Sequence, residues 1–192
     1  MLARVAAVSS GDAAPTRVLF VCLGNICRSP TAEAVFQAAV DRAGVADRFV
    51  VDSCGTGGGS ADWYVAGGFS YHEGDAADAR MTQVAAARGV RLTSRSRPLR
   101  PADLSDFDQI VCMDAANIEA VTRAAEHWKG EFDVPAAYAK KLARMTEFIR
   151  NERWRGAYSS VPDPYYGGQK GFELVLDLLE DACGGLLEEL QT

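Results

Sequence analysis

The chain has 192 residues, enough for one domain with a single buried core. Its composition, 48% hydrophobic and 24% charged, is that of a globular protein. A formal net charge of −6 without any strongly basic run argues against nucleic acid as a partner, and no apolar stretch approaches the ~20 residues that cross a bilayer, which argues against a membrane.

Residues 1–15, "MLARVAAVSSGDAAP", lack the apolar centre of a secretory signal. They are expected to form a disordered tail, and Arg4, two serines and one acid leave room for the remnant of an organelle transit peptide. Residues 16–192 are expected to form the single domain. The run "RVLFVCL" (17–23) predicts a buried strand of a parallel sheet. Ala32, Val35, Phe36, Ala39 and Val40 then follow helical spacing, with Pro30 in the first turn and Gly44 as the stop. "RFVVDSC" (48–54) predicts a second strand. The glycine-rich segment 55–75 reads as a loop. Its four aromatics, Trp63, Tyr64, Phe69 and Tyr71, favour an ordered one.

Residues 76–88 read as a helix, and "DQIVCMD" (108–114) as a third strand followed by a helix through Ile118, Val121 and Ala125. The window Arg88–Arg100 carries Arg91, Arg95 and Arg97, and reads either as a solvated face or as a local anion site. "KKLARMTEFI" is ambiguous between strand and helix. "VPDPYYGG" (161–168) is a turn-rich loop. Residues 172–190 form an amphipathic helix that Gly184-Gly185 weakens towards its end. Strands alternating with helices predict an α/β domain around a parallel sheet.

The five cysteines, at 22, 27, 54, 112 and 183, are odd in number and widely spread, which argues against a disulfide framework. With no Cys-x-x-Cys pair and two histidines, no structural metal is expected. A reducing compartment is expected: the cytoplasm, or a plastid if the tail is a transit-peptide remnant.

The chemistry concentrates in "VCLGNICRSPTAEAVF" (21–36). A strand that turns tightly into a helix makes an anion site, because loop N–H groups converge where the helix N-terminus adds positive potential. Gly24 permits the dihedrals of such a loop. The same field favours a thiolate at Cys22. Arg28 offers a planar fork for a tetrahedral oxyanion, and Ser29 can donate a hydrogen bond to the sulfur. A thiolate, an N–H nest and a guanidinium aimed at one point suit nucleophilic attack on phosphorus. A bare Cys-x5-Arg is a weak signal; the added Gly, Ser and strand–loop–helix setting make it specific. The leaving oxygen needs a proton donor. His72 and His127 have no supporting pattern, whereas Asp163 lies between two prolines with two tyrosines after it. Tyr165 and Tyr166 read either as walls of an aryl pocket or as packing residues.

"VLFVCLGNICRSPTAEAVF" with the late "DPYYGG" closely resembles the low-molecular-weight protein tyrosine phosphatases, from about Arg17 to the C-terminal helix. The resemblance implies a three-layer α/β sandwich with a four-stranded parallel sheet and a phosphate-binding loop, Leu23 to Ser29, between the first strand and the first helix. It implies Cys22 as nucleophile through a phosphocysteine intermediate, Arg28 on the phosphate, and Asp163 as general acid, then general base. Asn25 would shape the loop, which also includes Ile26, through a network with Ser53. Tyr165 and Tyr166 would line the mouth. Cys27 would be the redox partner of Cys22 in a reversible disulfide. Substrates would be phosphotyrosyl proteins and small aryl phosphates, with no metal or cofactor, on a monomer or weak dimer.

Two departures from the family pattern matter. Some members have a histidine near Ser94 in the supporting network, where a serine can still hydrogen-bond. An insertion of about a dozen residues, "GSADWYVAGGFS", precedes "YHEG", as in forms associated with photosynthetic lineages. It is expected to place Trp63 and Tyr64 in the pocket wall.

Three other functions compete. An arsenate reductase on this scaffold would relay a disulfide outward, and Cys54 and Cys112 are available, but a closely spaced downstream pair is missing. A protein-arginine phosphatase tends to carry threonine where this chain has Ile26. A non-catalytic phosphate-binding module would usually have lost the nucleophile, the arginine or the acid.

Overall fold

The computed structural model describes residues 14–165 and 168–192, so most of the expected N-terminal tail lies outside the described residues. Four strands form one parallel sheet in the order β2-β1-β3-β4: β1 is Thr16–Cys22, β2 Phe49–Gly55, β3 Gln109–Cys112 and β4 Leu142–Arg144. β1 is central and buried on both faces from Val18 to Val21. The period of two sorts its side chains. Val18 and Phe20 join a core with α1 (Arg28–Arg42), α2 (Ala79–Ala87) and α5 (Gln169–Leu190). Leu19 and Val21 face α3 (Pro101–Asp106) and α4 (Ala115–Trp128). Helices therefore cover both faces of a parallel sheet, the three-layer sandwich that the family resemblance implies.

Register places the chemistry at one edge. Cys22 is the last residue of β1, opposite Gly55 at the end of β2. Met113 and Asp114 follow directly on β3. The site thus gathers at the carboxyl ends of the strands, the usual ligand face of an open α/β sheet.

Three elements differ from the sequence reading. α2 starts at Ala79 because the Asp78 side chain accepts from the Arg80 N–H and caps it. The ambiguous "KKLARMTEFI" is a short strand between two single 3-10 turns. α5 runs straight through Gly184-Gly185 to Leu190. Gly185 serves packing there: a Cβ on it would lie 2.0 Å from the Phe148 carbonyl oxygen, so only glycine lets the helix approach so closely.

Candidate active site

Residues 23–27 link β1 to α1, and the donors around this loop turn it inside out. Its carbonyls are held from outside: Leu23 by the N–H groups of Thr56 and Gly58 at 2.9 Å, Gly24 by the Ser96 hydroxyl at 3.0 Å, and Ile26 by the Asp78 N–H at 2.7 Å. The N–H of a trans peptide opposes its C=O, so these peptides turn their N–H groups to the concave side. The Asn25 N–H reaches the Cys22 sulfur at 3.2 Å in this way. Behind it the first turn of α1 has no side-chain cap, which leaves its N-terminal donors for an anion.

Asn25 is the one described non-glycine residue with positive φ, at 53°. Its side chain fixes that conformation. Nδ2 donates to Ser29 Oγ at 2.9 Å and Ser53 Oγ at 2.8 Å, and Oδ1 accepts from the Arg97 N–H at 2.9 Å. The Ser53 hydroxyl donates to Glu33 Oε2 at 2.6 Å, and Glu33 is also hydrogen-bonded to Ser94. Ser29, fully buried, sends its hydroxyl towards Cys22 Sγ at 3.1 Å. One network therefore runs from Ser94 and Glu33 through Ser53, Asn25 and Ser29 to the sulfur. Burial raises the Glu33 carboxyl above its ordinary value, against the two serine hydroxyls that hold it down.

Arg28 reaches back over the loop from the first position of α1. It donates to Asp114 at 2.6 Å, to the Val161 carbonyl at 3.1 Å and to Asp163 at 3.4 Å. Burial works against its charge, but Cys22, Asp114 and Asp163 together outweigh that and raise its affinity for the proton. Asp114 also caps α4 by accepting from Asn117 N–H, so the partner of Arg28 is itself fixed. Cys22, Arg28 and Asp163 share one cavity of about 370 Å³ with Tyr71, His72 and Tyr165. Leu23, Gly24, Ile26, Cys27 and Gly58 complete its lining. His72 is closely seated: a Cβ on Gly24 or Gly58 would lie 3.1 Å from its ring.

All five cysteines are free thiols. Burial pushes the Cys27 thiol up to about 12, helped by the neighbouring charges of Asp78 and Cys22.

The comparisons with known proteins bear directly on this geometry. The family model for low molecular weight phosphotyrosine protein phosphatases matches residues 17–192. The chain belongs to that family. A Synechocystis relative named for the same family is 42% identical over 174 residues, 91% of this chain and 96% of that one. A low molecular weight protein-tyrosine-phosphatase of Streptomyces coelicolor is 39% identical, over 89% of this chain and 91% of its own. A crystal structure of a protein tyrosine phosphatase from Entamoeba histolytica, with Hepes in its active site, superposes with TM-score 0.76 at 39% identity, covering 92% of this chain and 97% of that one.

One expectation for this phosphatase is corrected. Trp63 and Tyr64 do not line the cavity. Trp63 is buried in the core, edge-on to Trp128, whose indole N–H donates to the Tyr64 carbonyl at 2.8 Å. The Tyr64 ring packs on His127. The residues that directly follow the insertion, Tyr71 and His72, supply the rim instead. An apolar ring is better buried on a core than left at a wet mouth, and glycine allows it: a Cβ on Gly57 would lie 2.3 Å from Trp63. Tyr166 lies outside the described residues. Arg88 and Arg97, read as a solvated face or an anion site, are paired with acids instead: Arg88 with Asp177 and Glu180, Arg97 with Asp52 and Asp103. Glu33, Ser96 and Asp114 went unnoticed in the sequence, and Arg97 was read only as part of a basic window, because each carries no motif of its own and reaches the site only through the fold.

Proposed function

We propose that this member hydrolyses phosphotyrosine and small aryl phosphates through a phosphocysteine intermediate. The observation that carries the reading is the convergence of an Asn25 N–H and a Ser29 hydroxyl on Cys22 Sγ, with Arg28 and Asp163 facing the same cavity. In the first step the Cys22 thiolate attacks phosphorus. The S–P bond forms as the P–O bond to the aryl group breaks. Asp163, carrying a proton, passes it to the leaving phenolate oxygen. Arg28 and the loop N–H groups take the three equatorial oxygens, over which the transition-state charge is spread. In the second step Asp163, now a carboxylate, accepts a proton from water. The water oxygen attacks phosphorus, and the thiolate leaves with the Ser29 hydroxyl to hold it.

The aryl preference draws support from the rim. Of the five exposed large hydrophobics among the described residues, Leu23, Tyr71 and Tyr165 line the cavity and Phe69 packs on Tyr71 with centroids 4.9 Å apart. Exposed aromatics beside a ligand pocket mark a contact surface. The disulfide relay of an arsenate reductase is disfavoured by Cys54 and Cys112, which are fully buried thiols that desolvation pushes well up. The same cavity would receive a reversible Cys22–Cys27 disulfide.

The test is hydrolysis of p-nitrophenyl phosphate at mildly acidic pH with EDTA present, comparing wild type with Cys22→Ser. Vanadate-sensitive turnover that disappears in the variant is expected. A folded, reduced wild type without turnover would falsify the proposal.

A further inference from the structure

The first residues of α2 touch both segments that carry the chemistry. The Asp78 N–H holds the Ile26 carbonyl of the phosphate loop at 2.7 Å. The Asp78 carboxylate grips the Arg80 guanidinium at two points, 3.0 Å from Nε and 2.8 Å from Nη2. That hydrogen-bonded pairing lowers the Asp78 carboxyl below its usual value. The guanidinium lies over the Phe172 ring, 4.8 Å from its centroid, and 5.3 Å from that of Tyr165. Phe172 is buried at the start of α5, so this face of the arginine rests on a fixed surface. Its remaining arm, Nη1, donates to the Tyr165 carbonyl at 3.1 Å. Tyr165 in turn donates its N–H to Asp163 Oδ1 at 3.0 Å.

We propose that Arg80 is a positioning residue that sets the Asp163 carboxyl over the leaving oxygen by latching the acid segment to the phosphate loop through Tyr165. The inference rests on the reading of Asp163 as the proton donor. The acid segment needs such a latch. Pro162 and Pro164 flank Asp163 and have no N–H to donate. Upstream, the Val161 N–H is held by the Met113 carbonyl; downstream, α5 starts at Gln169. Between them the Arg80 contact is a polar tie back to the loop. An exposed ion pair contributes little to stability. Its effect here is on geometry, where an error of about 1 Å at a reacting group costs up to ~100-fold in rate.

The test is kcat/KM across aryl phosphates from 2,4-dinitrophenyl to phenyl phosphate. It compares wild type, Arg80→Ala, Arg80→Lys and Asp163→Asn. A nitro-activated leaving group departs without a proton, whereas phenolate needs one. Arg80→Ala is expected to lose about tenfold on phenyl phosphate and less than about twofold on the dinitrophenyl ester, at an unchanged melting temperature. Arg80→Lys keeps one donor for the Tyr165 carbonyl and is expected to fall between. Asp163→Asn is expected to show the same selectivity more strongly. If Asp163→Asn is selective while Arg80→Ala slows all esters equally, or none, the latch is overturned and the acid assignment stands. If Asp163→Asn slows all esters equally, the acid assignment itself fails.

Discussion

The two walls of the cavity are built in opposite ways. The phosphate loop is closed: Asn25, Arg28 and Ser29 are 2%, 4% and 0% exposed, and each polar group that shapes the loop has a partner. The acid segment is open: Asp163 is 40% exposed, and prolines stand on both sides of it. A buried polar network is rigid when it is fully satisfied, and costly when it is not. The wall that meets an invariant phosphate has that rigidity. The wall that must admit an aryl group and release it is held by a few ties at the surface. Substitutions in the first wall should therefore damage stability and catalysis together, and substitutions in the second should damage catalysis alone.

The largest effect is expected at Arg28. Lysine keeps the charge but not the planar fork that spans Asp114, Val161 and a phosphate. Arg28→Lys should lower kcat/KM for p-nitrophenyl phosphate by about 10³-fold, as steady-state kinetics would read. A loss below tenfold would mean that charge alone suffices there. Next comes Asn25. Asn25→Ala removes three hydrogen bonds and places a Cβ-bearing residue without local support at φ 53°. Urea denaturation should show a loss of about 3 kcal/mol. Asn25→Gly accepts the dihedral and should recover about 1 kcal/mol of it, but no activity. Equal stabilities for the two variants would show that the hydrogen bonds, and not the backbone conformation, carry the cost.

The glycine-rich loop 55–75 repeats the contrast within one segment. Trp63 is buried in the core, whereas Phe69 and Tyr71 stand 57% and 62% exposed at the rim. Trp63→Ala should cost about 3 kcal/mol in thermal or urea unfolding. Phe69→Ala should change stability by less than about 0.5 kcal/mol. It should instead alter the ranking of phosphopeptides that differ in the apolar residues beside phosphotyrosine. An unchanged ranking would limit the recognition surface to the cavity itself.

How much of this was legible in the sequence follows from distance along the chain. Cys22, Arg28 and Ser29 stand within eight residues of one another at a strand–helix junction, so their joint chemistry is local and reads directly. The first three strands and the long helices were equally plain: the strands are apolar runs, and α1, α4 and α5 hold their periodicity over several turns. α3 and β4, with six and three residues, are too short for any period to show. The supporting residues were hidden for a different reason. Arg97 looked like one member of a basic window until the fold brought Asp52 and Asp103 to its guanidinium and Asn25 to its N–H. The four aromatics of segment 55–75 announced an ordered loop, but composition alone does not say which ring faces inward.

The smallest effect lies at the far end of the closed wall, and it depends on pH. Glu33 sits below Ser53 and Ser94, and burial raises its carboxyl above the ordinary value of about 4.3. For an acid raised in the folded state, the protonated form is favoured by folding. Its contribution is fully present below the ordinary value and is lost as pH rises through the higher folded one. Glu33→Gln removes that titration while an amide oxygen can still accept from Ser53. The stability difference between wild type and Glu33→Gln should therefore shift against wild type as pH rises from about 4 towards neutrality. Paired urea titrations at the two pH values would measure it. A shift in the opposite direction would mean that the serine hydroxyls outweigh burial, and that the network ends in a stabilised carboxylate.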